Sequence, residues 1–111
     1  MNKLTSKKCG PCAVGIPPLQ KAEIIPSLKG LPGWVLSDDE PFRLTRDYQF
    51  TNFKEAMAFV NKVAAVAEEE GHHPNILVHG WKNVRLEVYT HKIGGLHEND
   101  FILAAKIGQI I

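Results

Sequence analysis

Three histidines in the second half of the chain have the residue type and the setting for proton transfer near neutral pH. His72 and His73 are adjacent and precede Pro74, and His91 follows a segment that alternates apolar and polar residues. A histidine side chain ordinarily titrates near pH 6.5, so it can act as a general acid or a general base. Because proline disfavours helical geometry in the residue before it, we expect the pair to lie at a fixed corner between a helix and a strand.

Three carboxylates directly precede this histidine pair. Glu68, Glu69 and Glu70 would occupy the last turn of a helix, the end where the helix dipole is already partly negative. One interpretation is a solvated helix end. The other is that the local negative charge favours the protonated form of a neighbouring histidine.

Other catalytic chemistries have weaker support in the sequence. Adjacent residues such as His72 and His73 rarely direct both rings to one metal ion, and no His-x-His or His-x-x-x-His pair replaces them. The Gly-x-Ser-x-Gly, Gly-x-Gly-x-x-Gly and P-loop signatures are also absent. Metal-dependent catalysis is therefore a minor alternative.

The two cysteines lie far from the histidines in the sequence. Cys9-Gly10-Pro11-Cys12 has the spacing of a thioredoxin redox pair, but the residues before it are mostly polar and supply no buried strand. An arm with incidental thiols is favoured over half of a metal or disulfide link and over a redox catalyst. We expect a flexible arm over residues 1–16 and a single domain over residues 17–111.

Helices and strands alternate along that predicted domain. Apolar periodicity predicts helices over about 18–28, 51–70 and from 96–98 onward, and strands over 34–36, 42–50, 76–79 and 84–91. The links between successive strands are short, which indicates antiparallel pairs. The expected fold is α+β, with helices packed on one face of a four-stranded antiparallel sheet in the order α-β-β-α-β-β-α.

Two of these elements lead to specific expectations. In the helix 51–70, Thr51 or Asn52 would cap the start, with Glu55 returning a bond to Asn52, and Gly71 would take a left-handed conformation after the last turn. Its apolar stripe is expected to comprise Phe53, Met57, Val60, Val63, Ala64 and Ala67. In the strand 42–50, Arg46 interrupts the apolar side, so we expect a bulge or an edge position there.

Composition excludes several functional classes. The chain has 111 residues and a formal net charge of +1, which fits one ordinary domain and argues against a strongly basic nucleic-acid scaffold. Its apolar runs are too short to span a membrane, and the start has no apolar signal core. A cytoplasmic protein without direct nucleic-acid or membrane binding is expected.

The spacing of these residues resembles the signature of the pterin-4a-carbinolamine dehydratases. The similarity covers residues 31–109, and the residues that carry it are Glu68, His72-His73-Pro74, Trp81, His91 and Asp100. Two departures stand out. Six residues rather than five separate Pro74 from the aromatic residue, which places the extra one in a hairpin turn. His97 occupies a position that is usually serine or threonine, so it is a poorer cap opposite Asp100.

The resemblance implies a hydro-lyase that dehydrates 4a-hydroxytetrahydrobiopterin to a quinonoid dihydropterin in tetrahydrobiopterin recycling, with no metal or other cofactor. It implies that His72 and His91 are the acids and that His73 binds the pterin and is the base. Substrate contacts are expected from Gly71, Glu68, Tyr89, Thr90 and Lys92. Trp81 would pack in the hairpin or line the pocket, Asp100 would cap a helix, and His79 and His97 would be surface residues.

The resemblance also implies partners. Family members form homodimers or homotetramers, for which the apolar Ile107, Ile110 and Ile111 would be suited, and a functional link to an aromatic amino-acid hydroxylase is expected. The alternative functions are a non-catalytic interaction or dimerisation protein and a role linked to the molybdenum cofactor.

Overall fold

The computed structural model of the chain describes residues 17–110, over which the expected α+β fold is confirmed. The elements are α1 (Lys21–Leu28), β1 (Val35–Leu36), β2 (Leu44–Gln49), α2 (Phe53–Glu70), β3 (Asn75–His79), β4 (Asn83–Val88) and α3 (Glu98–Gly108). The strands form one sheet in the order β1-β2-β4-β3, and every neighbouring pair is antiparallel. Cys9, Cys12 and the predicted arm lie outside the described residues.

One face of this sheet forms the core with the helices. Val84, Leu86 and Val88 alternate along β4 and are almost fully buried, as the period of a strand requires. α3 covers them with a nearly continuous buried surface from Asn99 to Ala105. The opposite face is mostly polar, and Arg85 pairs there with Asp47 across β4 and β2 at 3.3 Å. The apolar Val35 and Leu77 are exposed on the same face. The helices therefore lie on one side, and the ends of α2 and α3 meet near the end of β4.

The predicted buried face of α2 is wrong for part of its length. The buried positions are Ala56, Phe59, Val63, Ala67 and Glu70. Phe53, which we expected inside, is 54% exposed. Phe59 is buried instead, because its ring packs against those of Tyr48 (4.4 Å between centroids) and Phe50 (5.1 Å). Alanines lie on two sides of α2, so the sequence pattern was compatible with burial of either the Phe53 face or the Phe59 face.

Arg46 causes no bulge, because β2 pairs with β4 without interruption from Leu44 to Gln49. On its other side β2 pairs with β1 only at Leu44 and Thr45, so Arg46 begins a stretch with no strand beside it, in agreement with the predicted edge position. The Arg46 guanidinium lies on the helix side of the sheet, 4.6 Å from the centre of the Tyr48 ring, where it makes a cation–π contact. Burial raises the pKa of Tyr48 above its ordinary value, and the charge of Arg46 partly offsets this.

Several predicted boundaries shift by a few residues. α1 begins at Lys21 rather than at residue 18, and it continues through Pro26. β4 ends at Val88, so His91 lies beyond the strand, in a single turn of 3-10 helix over His91–Ile93. Asn52 caps α2 as expected, but Glu55 accepts the backbone N–H of Thr51 (3.3 Å) and not that of Asn52.

Ile107 is unavailable for the oligomer contacts expected of it. It is fully buried in the core of its own chain, and the partly buried Ile110 packs against the same core. Over residues 17–110, no helix is long and apolar enough to cross a membrane.

Gly71 takes the left-handed conformation expected after α2, with φ of 66°. We expect Gly71→Ala to lower the free energy of unfolding by about 1 kcal/mol, because a side chain disfavours this conformation. A Cβ there would meet no atom within 4 Å, so the loss is conformational. Chemical denaturation measures it. Gly30→Ala is the control, since its Cβ would have only an ordinary 3.9 Å contact. Equal stability of the two variants would contradict the prediction.

Candidate active site

The corner between α2 and β3 is closed by backbone hydrogen bonds. The N–H of Gly71 donates to the carbonyl of Glu68 (3.3 Å), and the N–H of His72 donates to the carbonyl of Ala67 (3.2 Å). These bonds satisfy the last carbonyls of α2 and fix the direction in which the chain leaves the helix. His72 and His73 thus follow a defined helix end, as the sequence predicted.

His72 is held by a buried carboxylate. Its Nε2 lies 2.6 Å from Oδ1 of Asp100, a residue of the first turn of α3 that is 0% exposed. The other oxygen of Asp100 accepts the hydroxyl of Thr90 (2.9 Å) and the backbone N–H of His97 (2.8 Å). The negative charge is further favoured by the N-terminus of α3. The predicted capping role of Asp100 is therefore confirmed, and a second role, contact with His72, was not foreseen.

His73 is also paired with a carboxylate, but in solvent. Its Nε2 lies 2.8 Å from Oε1 of Glu68, one turn back on α2. The side chains are 62% and 79% exposed, respectively, so water screens the pair and its contribution to stability is small. Glu68 can orient the His73 ring without immobilising it.

The other two glutamates of the acidic helix end differ from Glu68. Glu70 is buried, and its carboxylate lies 2.7 Å from Nζ of Lys106 on α3. Glu69 is exposed. A solvated helix end therefore describes Glu69 and also Glu68, which is exposed while it contacts His73. Glu70 instead links α2 to α3.

His91 reaches the same region from the end of β4. Thr90 and Gly95 exchange two backbone hydrogen bonds of 2.8 and 3.3 Å, which close a tight loop around His91. The ring of His91 lies against that of Tyr89, with 4.2 Å between centroids. The expected position on the wetter face of a strand is thus replaced by an exposed position just past its end.

These residues line one cleft of about 530 Å³. Seven of the eight predicted site residues are among its walls: Gly71, His72, His73, Tyr89, Thr90, His91 and Lys92. Glu68, the eighth, contacts the cleft only through His73. Trp81 is not a wall residue. It lies at the tip of the β3–β4 hairpin and is 64% exposed, so it has neither of its two predicted roles.

Two asparagines in the cleft were missed from the sequence. Asn75 starts β3 directly after Pro74, and Asn99 lies beside Asp100 and is 4% exposed. Their only signal was proximity in sequence to the histidine corner and to Asp100. Among residues 17–110, no group of three histidine, cysteine, aspartate or glutamate side chains is arranged to hold a metal ion.

Comparison with known proteins gives a consistent family. The family model described as "Pterin 4 alpha carbinolamine dehydratase" matches residues 17–110. A Rubrobacter xylanophilus protein named "Putative pterin-4-alpha-carbinolamine dehydratase" is 44% identical over 99% of this chain and 100% of its own length. A Methylococcus capsulatus protein of the same name is 50% identical over 96% of this chain and 92% of its own length.

Two solved structures share the fold. A transcriptional coactivator/pterin dehydratase from Brucella melitensis has a TM-score of 0.76 and 30% identity, over 84% of this chain and 97% of its own. A pterin dehydratase-like protein identified as a RuBisCO assembly factor in the alpha-carboxysome has a TM-score of 0.58 and 25% identity, over 72% of this chain and 90% of its own.

Proposed function

Because the chain belongs to the pterin-4-alpha-carbinolamine dehydratase family, we propose that it dehydrates 4a-hydroxytetrahydrobiopterin to a quinonoid dihydropterin and water. The observation that carries the proposal is that His72, His73 and His91 line one cleft. A volume of about 530 Å³ is of the size that small-molecule sites usually have. The direct test is an assay of carbinolamine dehydration with the purified chain.

The reaction requires one proton to be delivered and one to be removed. The C4a–O bond of the substrate breaks, and the departing hydroxyl takes a proton from His72 or His91 and leaves as water. His73 removes the proton from the adjacent ring nitrogen, and the electrons of that N–H bond form the carbon–nitrogen double bond. Each proton transfer by a positioned side chain of this kind typically raises the reaction rate about 10²–10⁴-fold.

The carboxylate contacts decide which nitrogen of each ring can face the substrate. Asp100 and Glu68 occupy Nε2 of His72 and His73, so Nδ1 of each ring remains for the reaction. An ionised Asp100 accepts the Nε2 proton of His72 and stabilises the imidazolium from which an acid must donate. His73 is the more exposed of the two, which suits a base that exchanges its proton with water.

The remaining walls of the cleft would hold the pterin ring. By resemblance to the family, main-chain groups around Gly71 and Tyr89 would bond the nitrogens and oxygens of the ring. The main chain of Thr90 is already bonded to Gly95, so this residue would contribute through the shape of the loop. Tyr89 and Lys92 supply an aromatic surface and a cation. Asn75 and Asn99 also line the cleft, and we assign them to substrate binding with the predicted residues.

A purely interacting protein of the same fold is the alternative, and the pterin dehydratase-like protein identified as a RuBisCO assembly factor is a relative with such a role. The presence of all three histidines in one cleft supports catalysis here, because a surface used only for binding has no need of acid–base groups. The proposed product implies a functional link to an aromatic amino-acid hydroxylase, and we propose a cytoplasmic location as part of the same function.

We expect the chain to form a homodimer or homotetramer in solution. The edge strand β3 exposes Leu77 (54%) and Ile76 (37%), and an unpaired strand edge with apolar side chains favours association. Light scattering coupled to gel filtration should give a mass of at least two chains, and Leu77→Lys should reduce it. A single-chain mass for the wild-type protein would contradict the prediction.

A further inference from the structure

A second cavity, of about 650 Å³, lies at the opposite end of α3 from the histidine cleft. The cleft contacts Asn99 in the first turn of α3, whereas the cavity contacts Ala104, Ala105 and Gly108 in its last turns. The loop that connects α1 to β1 closes the other side. None of the residues proposed for the dehydratase reaction lines it.

Arg46 places a positive charge in this cavity. Its guanidinium fits because Gly33 leaves space, since a Cβ on that residue would lie only 2.8 Å from its Cζ. On the other side Gly108 lies close by, where a Cβ would make an ordinary 3.7 Å contact with its Nη1. Within residues 17–110 its one recorded interaction is the contact with the Tyr48 ring, and no aspartate or glutamate lines the cavity. A half-buried guanidinium without a carboxylate partner leaves planar, paired N–H donors for an anion.

Trp34 adds a buried donor and an apolar wall. It is 6% exposed, and within the described residues its Nε1 has no hydrogen-bond acceptor. Because Nε1 is itself buried, Trp34 serves the cavity as an aromatic wall. Leu31 and Ala104 are further apolar lining residues. The cavity thus combines apolar surface with two cations, the half-buried Arg46 and the exposed Lys29.

We propose that this cavity binds a small monocarboxylate, with the carboxylate on Arg46 and the apolar body against Trp34 and α3. The planar guanidinium matches a carboxylate with two parallel hydrogen bonds. The C-terminus of α3, at Gly108 and Gln109, contributes partial negative charge to the same cavity. This repulsion grows with the charge of the ligand, so it disfavours a phosphate dianion more than a monocarboxylate. The proposal is independent of the dehydratase reaction.

The test uses the two tryptophans of the chain as reporters. In the ¹⁵N-labelled full chain, titration with benzoate should shift the indole N–H resonance of Trp34 saturably. The indole of Trp81, exposed at the hairpin tip, should not move and is the internal control. Benzamide, which has the same shape without the charge, should bind at least tenfold more weakly, since a hydrogen bond to a charged group contributes about 1.5–3 kcal/mol.

Variants test the anchor itself. Arg46→Gln should weaken benzoate binding at least tenfold, whereas Arg85→Gln, on the opposite face of the sheet, should leave it unchanged. If Arg46→Gln does not fold, Arg46→Lys and the comparison of benzoate with benzamide test whether the charge of Arg46 binds the carboxylate. The proposal is overturned by the absence of a saturable shift at Trp34, by equal binding of benzamide, or by inorganic phosphate binding as tightly as benzoate.

Discussion

Replacing His73 with alanine is expected to lower the turnover number for carbinolamine dehydration about 10²-fold or more, the scale of a lost general base. His73 is 62% exposed in its side chain, so the substitution removes little packing. The free energy of unfolding should therefore change by no more than about 0.5 kcal/mol. Steady-state kinetics beside chemical denaturation measures both quantities. A large loss of turnover without a loss of stability separates a chemical role from a structural one.

Two further variants show whether that loss is specific. His79→Ala removes an exposed histidine of β3 that does not line the cleft, and its turnover should match that of the wild type. Glu68→Gln should lower turnover by less than tenfold, because the exposed pair with His73 is screened by water. Full activity of His73→Ala would remove the proposed base from the mechanism.

Asp100→Asn is expected to lower turnover about 10²-fold by changing the state of His72. If the amide oxygen keeps the bonds from Thr90 and His97, the amide NH₂ must face Nε2 of His72. Nε2 then has to accept, which moves the ring proton to Nδ1 and disfavours the imidazolium. A neutral imidazole is a much weaker acid, so kcat should fall more than KM changes. Kinetics across a range of pH values measures the loss.

Glu70→Gln is the matched control for this substitution. It also converts a buried carboxylate to an amide, and it breaks the ion pair with Lys106. Removing one partner of a buried pair costs about 3 kcal/mol or more. We expect lower stability but a turnover number close to that of the wild-type protein, since Glu70 does not line the cleft. Equal turnover losses in the two variants would show that Asp100 acts through stability alone.

The sequence predicted the helix-end corner but could not pair its histidines with particular carboxylates. Two local features determine the corner. Gly71 takes a left-handed conformation after the helix, and Pro74 disfavours helical geometry in the residue before it, His73. The contact between His72 and Asp100 joins residues 28 positions apart, and it depends on how α3 packs beside the end of α2. The spacing predicted the local role of Asp100, which is to cap α3. It did not predict the long-range contact of Asp100 with His72.

The same distinction explains the errors in the core. The choice between Phe53 and Phe59 on α2 depends on the aromatic partners that β2 presents, namely Tyr48 and Phe50. Arg46 interrupts an apolar strand face in the sequence, and the space that accommodates its guanidinium depends on Gly33, a residue distant in the chain. Periodicity identifies an element, but tertiary packing selects which of two compatible faces is buried.

The central claim is that the three-histidine cleft catalyses dehydration of the pterin carbinolamine. The most direct measurement follows disappearance of freshly generated 4a-hydroxytetrahydrobiopterin with the purified full chain and with a variant in which His72, His73 and His91 are all alanine. We predict that the wild-type chain accelerates dehydration well above the uncatalysed rate and that the folded triple variant does not. A wild-type chain that leaves the uncatalysed rate unchanged, or a triple variant as active as the wild type, would contradict it.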